Sequence, residues 1–398
     1  MSNKYPKLRK NNSCDNWLFT TLGDVTREYK VSNKYVHHQN LLSLSYGKIV
    51  KKDIEAKKGL LPASFDTYQI IKEGIIVFRV TDLQNDKKSL RVGISSQEGI
   101  ITPAYVCVEC TTDEISPMYL FTLLHYYDSI TKVMYNMGNG LRQTLSYSDL
   151  KGLNIPIPPL SEQHFITDIF FHIDSIISEE TSRLASLKQV KEASLQAMFP
   201  QKGETVPKIR FKGFEGEWVI TKAAEIFKTV NERNFSGLPV LSATQDKGMV
   251  TRDSIGYNIF HEKSNESTYK HIVPGQFVMH LRSFQGGFAH SAIEGICSPA
   301  YTIMEFKDKE KNHDLYWKYV LTSKRFIKSL EMITYGIRDG RTISFDEFKE
   351  MVFLVPKVEE QQQIASYFTS LDKQIALQMQ RLEKLKQIKA ACLDKMFV

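Results

Sequence analysis

The chain has 398 residues and a formal charge of +7, too long for one ordinary core and suited to two domains with connectors. No stretch approaches the roughly 18 to 20 uninterrupted apolar residues of a membrane span, and residues 1–10 lack the apolar run of a secretory signal. Five cysteines, an odd number, fit a reducing compartment rather than a disulfide framework, so a cytoplasmic protein is expected, and its positive charge permits a polyanionic partner without requiring one.

In chain order, residues 1–157 open with Pro6-Lys7-Leu8-Arg9 and Trp17. Alternating apolar positions predict strands at Ile75 to Val80 and Tyr105 to Val108, and short helices follow at 117 to 134. Residues 158–200 predict one long helix, introduced by Pro158-Pro159 and with Ser161-Glu162 in its first turn. Residues 201–355 repeat the pattern: Pro207-Lys208-Ile209-Arg210 and Trp218, strands at Gln276 to Met279 and Tyr301 to Met304, and short helices at 313 to 332. Residues 356–398 predict a second long helix, with Pro356 before it and Glu359-Glu360 in its first turn.

Residues 145–199 recur without a gap as 343–397, with 19 of 55 positions identical. Ser146/Ser344, Pro158/Pro356, Glu162/Glu360, Gln163/Gln361, Asp174/Asp372 and Arg183/Arg381 are among them. The upstream parts match at slightly different spacings, so the chain is a tandem duplication. Each long helix carries a narrow apolar stripe: Ile166, Phe170, Ile173, Ile177, Leu184 and Leu187 in the first, and Ile364, Phe368, Leu371, Ile375, Leu382 and Leu385 in the second. The alternating steps of four and three are those of a coiled-coil seam. Glu180 and Gln378 interrupt the stripe at matching levels, as do Lys191 and Lys389; such breaks cost stability but fix register. The fold expected is α+β, with two pseudo-symmetric globular domains joined by two long antiparallel coiled-coil helices in a dumb-bell. Because Pro6 to Arg9 repeats the motif that follows the first helix, the two chain ends are expected to be neighbours.

The chain has no GxxxxGK[ST] phosphate loop, no GxGxxG after a strand, no HExxH and no GxSxG. Ser298-Pro299-Ala300-Tyr301 lacks the second proline of a methyltransferase tetrad, and Asp53-Ile54-Glu55-Ala56-Lys57 loses its Glu and Lys in the second copy, so a nuclease set is not supported. Cys107 and Cys110 form a CxxC, but the second copy has Ile303 and Phe306 there; both thiols read as apolar fillers on a strand, and no metal site is expected. What remains is recognition. The loops between the matched strands diverge, and in or beside them stand Lys48, Lys51, Lys52, Arg79 and Arg91 in the first half and Arg252, His280, Arg282 and Gln285 in the second. Arg142 and Gln143 are echoed by Arg338 and Arg341. Arginine can fork onto guanine or phosphate and glutamine can pair with adenine, and aromatics such as Tyr46, Tyr68, Tyr257 and Phe284 are interleaved. A kept framework with changed loops suits two scaffolds that bear different binding surfaces.

Two divergent domains, two near-identical helices, the Ser-Pro-Ala-Tyr run and Arg210-Phe211-Lys212-Gly213-Phe214-Glu215-Gly216-Glu217-Trp218 together resemble the specificity subunit of Type I restriction-modification enzymes over essentially the whole chain. The first half departs from that pattern between Lys10 and Asn16, where only Trp17 survives. The resemblance implies a target recognition domain in residues 1–157 and another in 201–355, each reading half of a split double-stranded DNA target, with spacer helices 158–200 and 356–398 setting the gap. It further implies docking of two modification subunits and recruitment of two restriction subunits, which bring S-adenosylmethionine, ATP and Mg2+; this chain would bind no cofactor and catalyse nothing itself. A protein-only coiled-coil adaptor that never meets DNA is the alternative.

Overall fold

The computed structural model describes residues 6–9, 16–53, 62, 64–81, 90–137, 144–244, 247–255, 263–280, 287–333 and 344–397. The chain divides into two compact units, Met1–Ser182 with Gln380–Val398, and Arg183–Met379.

The globular part of unit 1 runs β1 (Leu18–Thr21), α1 (Leu22–Val25), β2 (Thr26–Glu28), β3 (Leu42–Ser45), β4 (Lys48–Lys51), β5 (Gln69–Ile71), β6 (Ile76–Phe78), β7 (Val92–Ile94), β8 (Gly99–Ile101), β9 (Val106–Cys110), α2 (Pro117–Tyr126), α3 (Val133–Met137), α4 (Tyr147–Leu150) and β10 (Asn154–Ile157). A four-stranded antiparallel sheet in the order β2-β9-β6-β7 forms its centre, with β3-β4, β5-β8 and β1-β10 as separate pairs. Its core gathers Phe78, Val92 and Val108 from the sheet with Tyr119, Leu120 and Leu123 from α2. The first long helix, α5 (Leu160–Ala197), follows β10.

Unit 2 runs β11 (Val219–Lys222), α6 (Ala223–Ile226), β12 (Phe227–Val230), β13 (Val240–Thr244), β14 (Gly248–Thr251), β15 (Lys270–Ile272), β16 (Phe277–Met279), β17 (Phe288–His290), β18 (Gly295–Cys297), β19 (Thr302–Phe306), α7 (Asp314–Leu321), α8 (Lys324–Ile333), α9 (Phe345–Phe348), β20 (Val352–Val355) and α10 (Val358–Met396). The sheet order β12-β19-β16-β17 repeats that of unit 1, and β14-β13-β18-β15 closes into a second sheet of four. In unit 1, among the described residues, the corresponding pairs are joined in the sheet sense by one parallel bridge, between Leu41 and Ile100. The core of unit 2 is an aromatic pile in which Phe227, Phe277, Phe306, Trp317, Phe348 and Phe353 contact one another edge-on or tilted, the geometry aromatic quadrupoles favour.

The short helices expected within 117–134 and 313–332 are present as α2 and α3 and as α7 and α8, with one interruption in each segment. The first passes from α2 into a π-helical turn at Tyr127–Thr131 that ends on Lys132 in the left-handed region, φ +56°. The second stops at Leu321 and restarts at Lys324, where the Ser323 hydroxyl accepts the Phe326 amide at 3.2 Å. Local side-chain capping outcompeted one more helical turn at that point. Ser146 and Ser344, by contrast, open equivalent short helices through full capping boxes with Asp149 and Glu347, each worth about 1 kcal/mol.

Cys107 and Cys110 lie on β9 and are apolar fillers: Cys107 packs with Leu42, Leu44 and Val77, and burial pushes the thiols up to about 12 and about 11 respectively. Among the described residues no cluster of His, Cys, Asp or Glu could hold a metal ion, and no helix is long and apolar enough to cross a membrane.

Candidate nucleic-acid interface and its helical frame

Each long helix is seated by an equivalent arginine–glutamate ion pair. In unit 1, Arg9 Nε and Nη2 donate to the two carboxylate oxygens of Glu162 at 3.0 and 2.7 Å, and the Trp17 indole N–H donates to the same carboxylate at 3.2 Å. In unit 2, Arg210 Nε and Nη2 grip Glu360 at 2.9 and 2.7 Å. Trp218 Nε1 is buried without a hydrogen-bond partner among the described residues. This planar two-point grip is what guanidinium offers and lysine does not; the Glu360 hydrogen bond raises the Arg210 pKa.

One residue later a buried glutamine ties the helix to the segment before α2 or α7. Gln163 Oε1 accepts the Ser116 amide at 2.8 Å while its Nε2 donates to the carbonyls of Glu114 and Pro158 at 2.7 and 2.9 Å. Gln361 does the same to His313, Lys311 and Pro356 at 2.9, 3.0 and 3.0 Å. All three hydrogen-bonding groups of each amide used are matched, so a fully buried polar side chain carries no desolvation debt.

The seam residues divide between the units. In unit 1, Ile166 and Phe170 pack with Leu393, Met396 and Phe397 at the far end of α10, and the Phe170 and Phe397 rings stack at 6.2 Å. Lys389 meets both oxygens of Asp174 at 2.6 and 2.9 Å, and Arg381 reaches Glu180 at 2.8 Å. Burial, with Lys389 nearby, lowers His125 to about 4 and keeps it neutral. In unit 2, Ile364 and Phe368 pack with Met198; Lys191 pairs with Asp372 at 2.5 Å and Tyr367 meets Ser194 at 2.9 Å. Rising number on one helix meets falling number on the other, so within each unit the segments run antiparallel. Leu371 and Leu382 are buried, while Ile173, Ile177, Leu184, Leu187, Ile375 and Leu385 are half-covered. The polar interruptions Glu180 and Gln378 are themselves buried. The chain ends meet as expected: the Leu8 amide donates to the Lys395 carbonyl at 2.9 Å, matching Ile209 to Ala197 at 3.0 Å.

The candidate DNA-contacting residues separate into three groups. Lys48, Lys51 and Lys52 are exposed on and just beyond β4. Arg79, Arg252 and His280 are half-buried: Arg252 Nε donates to Ser242 Oγ at 3.2 Å with its guanidinium 5.6 Å from the Tyr269 ring centre, and the His280 ring lies 6.0 Å from that of Tyr301. Arg91 corrects the sequence expectation, for it is fully buried and its guanidinium donates to Tyr135 Oη at 3.2 Å and to the Thr81 carbonyl at 2.5 Å. Its backbone amide bonds to the buried Asp128 carboxylate, so Arg91 is tied into the interior of unit 1 and is not an exposed base-reading side chain. Arg142, Gln143, Arg282, Gln285, Arg338 and Arg341 lie outside the described residues.

The sequence reading missed Arg9 and Arg210 as anchors of Glu162 and Glu360, taking the glutamates for helix-dipole residues. The signal was available, because both members of each pair recur across the duplication.

Unit 2 carries a further polar cluster. His271 on β15 is stacked on Phe235 at 3.8 Å and holds Glu232 through Nδ1 at 3.0 Å and Glu294 through Nε2 at 2.9 Å. Burial disfavours the imidazolium, but the hydrogen bonds its ring nitrogens donate to the two carboxylates, with their negative charge, outweigh it and the His271 pKa is raised above 6.5. A raised folded pKa stabilises the native state fully below the unfolded value and loses that contribution as pH climbs through the folded value. Thermal melts of unit 2 should therefore fall as pH rises above about 6.5, and His271→Gln should flatten that slope; an unchanged slope would assign it to other groups.

Comparison with known proteins finds the same framework elsewhere. The family model described as "Type I restriction modification DNA specificity domain" matches residues 100–189 and 215–387. The Type I restriction enzyme MjaVIII specificity subunit of Methanocaldococcus jannaschii is 23% identical over 314 residues, covering 74% of this chain and 72% of its own. The crystal structure of a Type I restriction-modification S subunit from M. genitalium superposes with a TM-score of 0.61 at 14% identity, covering 99% of both chains. A chain from a solved structure on complex assembly and conformational transition of the type I R-M system gives 0.51 at 16% identity, covering 98% of this chain and 99% of that one.

Proposed function

The chain belongs to the family of Type I restriction-modification DNA specificity proteins, and on that premise we propose that it reads a bipartite double-stranded DNA target, one half-site per unit, and scaffolds the modification subunits. The observation that carries this reading is a framework whose ion pair and glutamine clamp are repeated, Arg9–Glu162 with Arg210–Glu360 and Gln163 with Gln361, alongside segments whose chemistry differs. Repeated frame and divergent surface are what two readers of different sequences need. The exposed Lys48, Lys51 and Lys52 supply phosphate-seeking charge in unit 1, and Arg252, His280, Arg282, Gln285, Arg338 and Arg341 are the proposed readers in unit 2. The paired helices are proposed to fix the gap between half-sites.

Catalysis belongs, in this proposal, to partner subunits: two modification subunits that use S-adenosylmethionine and two restriction subunits that use ATP and Mg2+. A partner present in two copies suits a second repeated feature. Leu18 and Phe19 on β1 and Val219 and Ile220 on β11 are exposed apolar pairs at equivalent strands of the two units, the kind of patch that marks a protein interface.

Titrating a labelled duplex carrying the target with the assembled complex at several salt concentrations tests the DNA reading. The logarithm of the association constant should fall linearly with log salt, by about 0.9 per neutralised phosphate. A flat line favours the protein-only adaptor.

A further inference from the structure

Strands β3 and β4 form a two-stranded antiparallel ribbon whose two faces have opposite chemistry. Leu42, Leu44 and Ile49 turn inward and pack against Ile71, Val77 and Ile101. Cross-strand partners share a face, so Ser43 with Val50 and Ser45 with Lys48 make up the outer surface. Ser45, Lys48 and Val50 on that face are exposed, and Leu42 to Lys52 contains three lysines and no carboxylate.

The tip of the ribbon is strained. Tyr46 and Gly47 form the two-residue turn at φ +48° and +77°, the doubly left-handed conformation of the hairpin turn that normally selects Asn-Gly. Gly47 is required twice over, since a Cβ there would lie 3.1 Å from the Leu90 side chain. Tyr46 is not required by the fold: the residue is 75% exposed, and a bulky residue in this region is an outlier for which asparagine or glycine would be the relaxed choice. A left-handed aromatic held out in solvent beside a basic strand is placed for a ligand and not for packing.

We infer that the β3–β4 ribbon is the base-reading element of unit 1, entering the major groove with Tyr46 at its leading edge. This rests on the proposed reading of the chain as a DNA specificity protein. The major groove, about 12 Å wide, admits a two-stranded ribbon. Ser43 and Ser45 offer hydroxyls to base edges, Val50 offers an apolar contact to a thymine methyl, and Lys48 lies where it meets phosphate. Tyr46 supplies a rigid aromatic face to a base or sugar at the end of the half-site. In unit 2 the sequence between β13 and β14 is Gln245-Asp246-Lys247 in place of Tyr46-Gly47, so the residues at this point differ between the two units.

The test uses the assembled complex and two variants of one position, Tyr46→Asn and Tyr46→Gly, with Lys48→Gln beside them. Melting temperature and affinity for the specific duplex are measured together, along with affinity for duplexes altered in one half-site at a time. Relief of the left-handed tyrosine should leave the melting temperature of both Tyr46 variants equal to or above that of the parent, while specific affinity falls about tenfold and discrimination is lost in the unit 1 half-site alone. Lys48→Gln should instead reduce the salt slope by about one phosphate equivalent. Unchanged affinity in both Tyr46 variants, affinity that falls only in step with folded fraction, or equal loss of discrimination at both half-sites would overturn the inference. A parent complex with no salt-dependent binding to duplex would overturn the wider DNA reading as well, which separates the two failures.

Discussion

Arg210→Ala should destabilise unit 2 by about 3 kcal/mol, the cost of stranding one charge of a buried ion pair. The Glu360 carboxylate it leaves behind is 2% exposed. Arg9→Ala removes the equivalent guanidinium from Glu162, yet the Trp17 indole N–H still donates to that carboxylate, whereas the Trp218 nitrogen has no partner among the described residues. A hydrogen bond to a charged group is worth about 1.5 kcal/mol or more, so the loss in unit 1 should be smaller by about that amount, and Trp17→Phe combined with Arg9→Ala should restore parity. Hydrogen exchange resolved by peptide reports the two units separately. Equal losses from the two arginine substitutions would show that the indole contributes nothing.

Replacing Gln361 by Leu is expected to have a comparable effect by a different route. Leucine keeps the volume but leaves the His313 amide and the carbonyls of Lys311 and Pro356 without the partners they now have. Of these only the Pro356 carbonyl belongs to a buried residue, Lys311 being exposed and His313 half-buried, so the loss should be about 2 kcal/mol, chiefly from that one unmatched acceptor. Gln163→Leu should do the same to Ser116, Glu114 and Pro158. Accelerated amide exchange at His313 or Ser116 would mark the segment before α7 or α2 coming loose from its long helix. Protection unchanged from the parent would mean that neighbouring packing holds that segment without the amide.

What the sequence made legible follows from which residues face a repeating neighbour. The long helices were readable because Ile166, Phe170, Ile364 and Phe368 are spaced to one side of an apolar seam, and the duplication made each reading twice over. Cys107 and Cys110 were readable because the second copy substitutes apolar residues at those places. Arg91 was not: a lone arginine beside a divergent loop looks the same on paper whether it meets solvent or is buried beneath it, and only the positions of Tyr135, Thr81 and Asp128 decide. The breaks after Tyr126 and Leu321 were hidden because the residues around them remain helix-compatible, and the stop comes from a left-handed Lys132 and the Ser323 cap. Tyr46 was visible as an aromatic among lysines, but its left-handed backbone was not, since Tyr-Gly is a poor predictor of a turn that asparagine usually opens.

The reading of two half-sites by two units is tested most directly by methylation-sensitive sequencing of a genome exposed to this chain and its modification partners. The parent and a chimera whose residues 16–157 come from another specificity protein of the family would be compared. The account predicts a methylated motif in two parts separated by a gap, with one part changed in the chimera and the other retained. A motif without a gap, or one whose two parts change together, would contradict it.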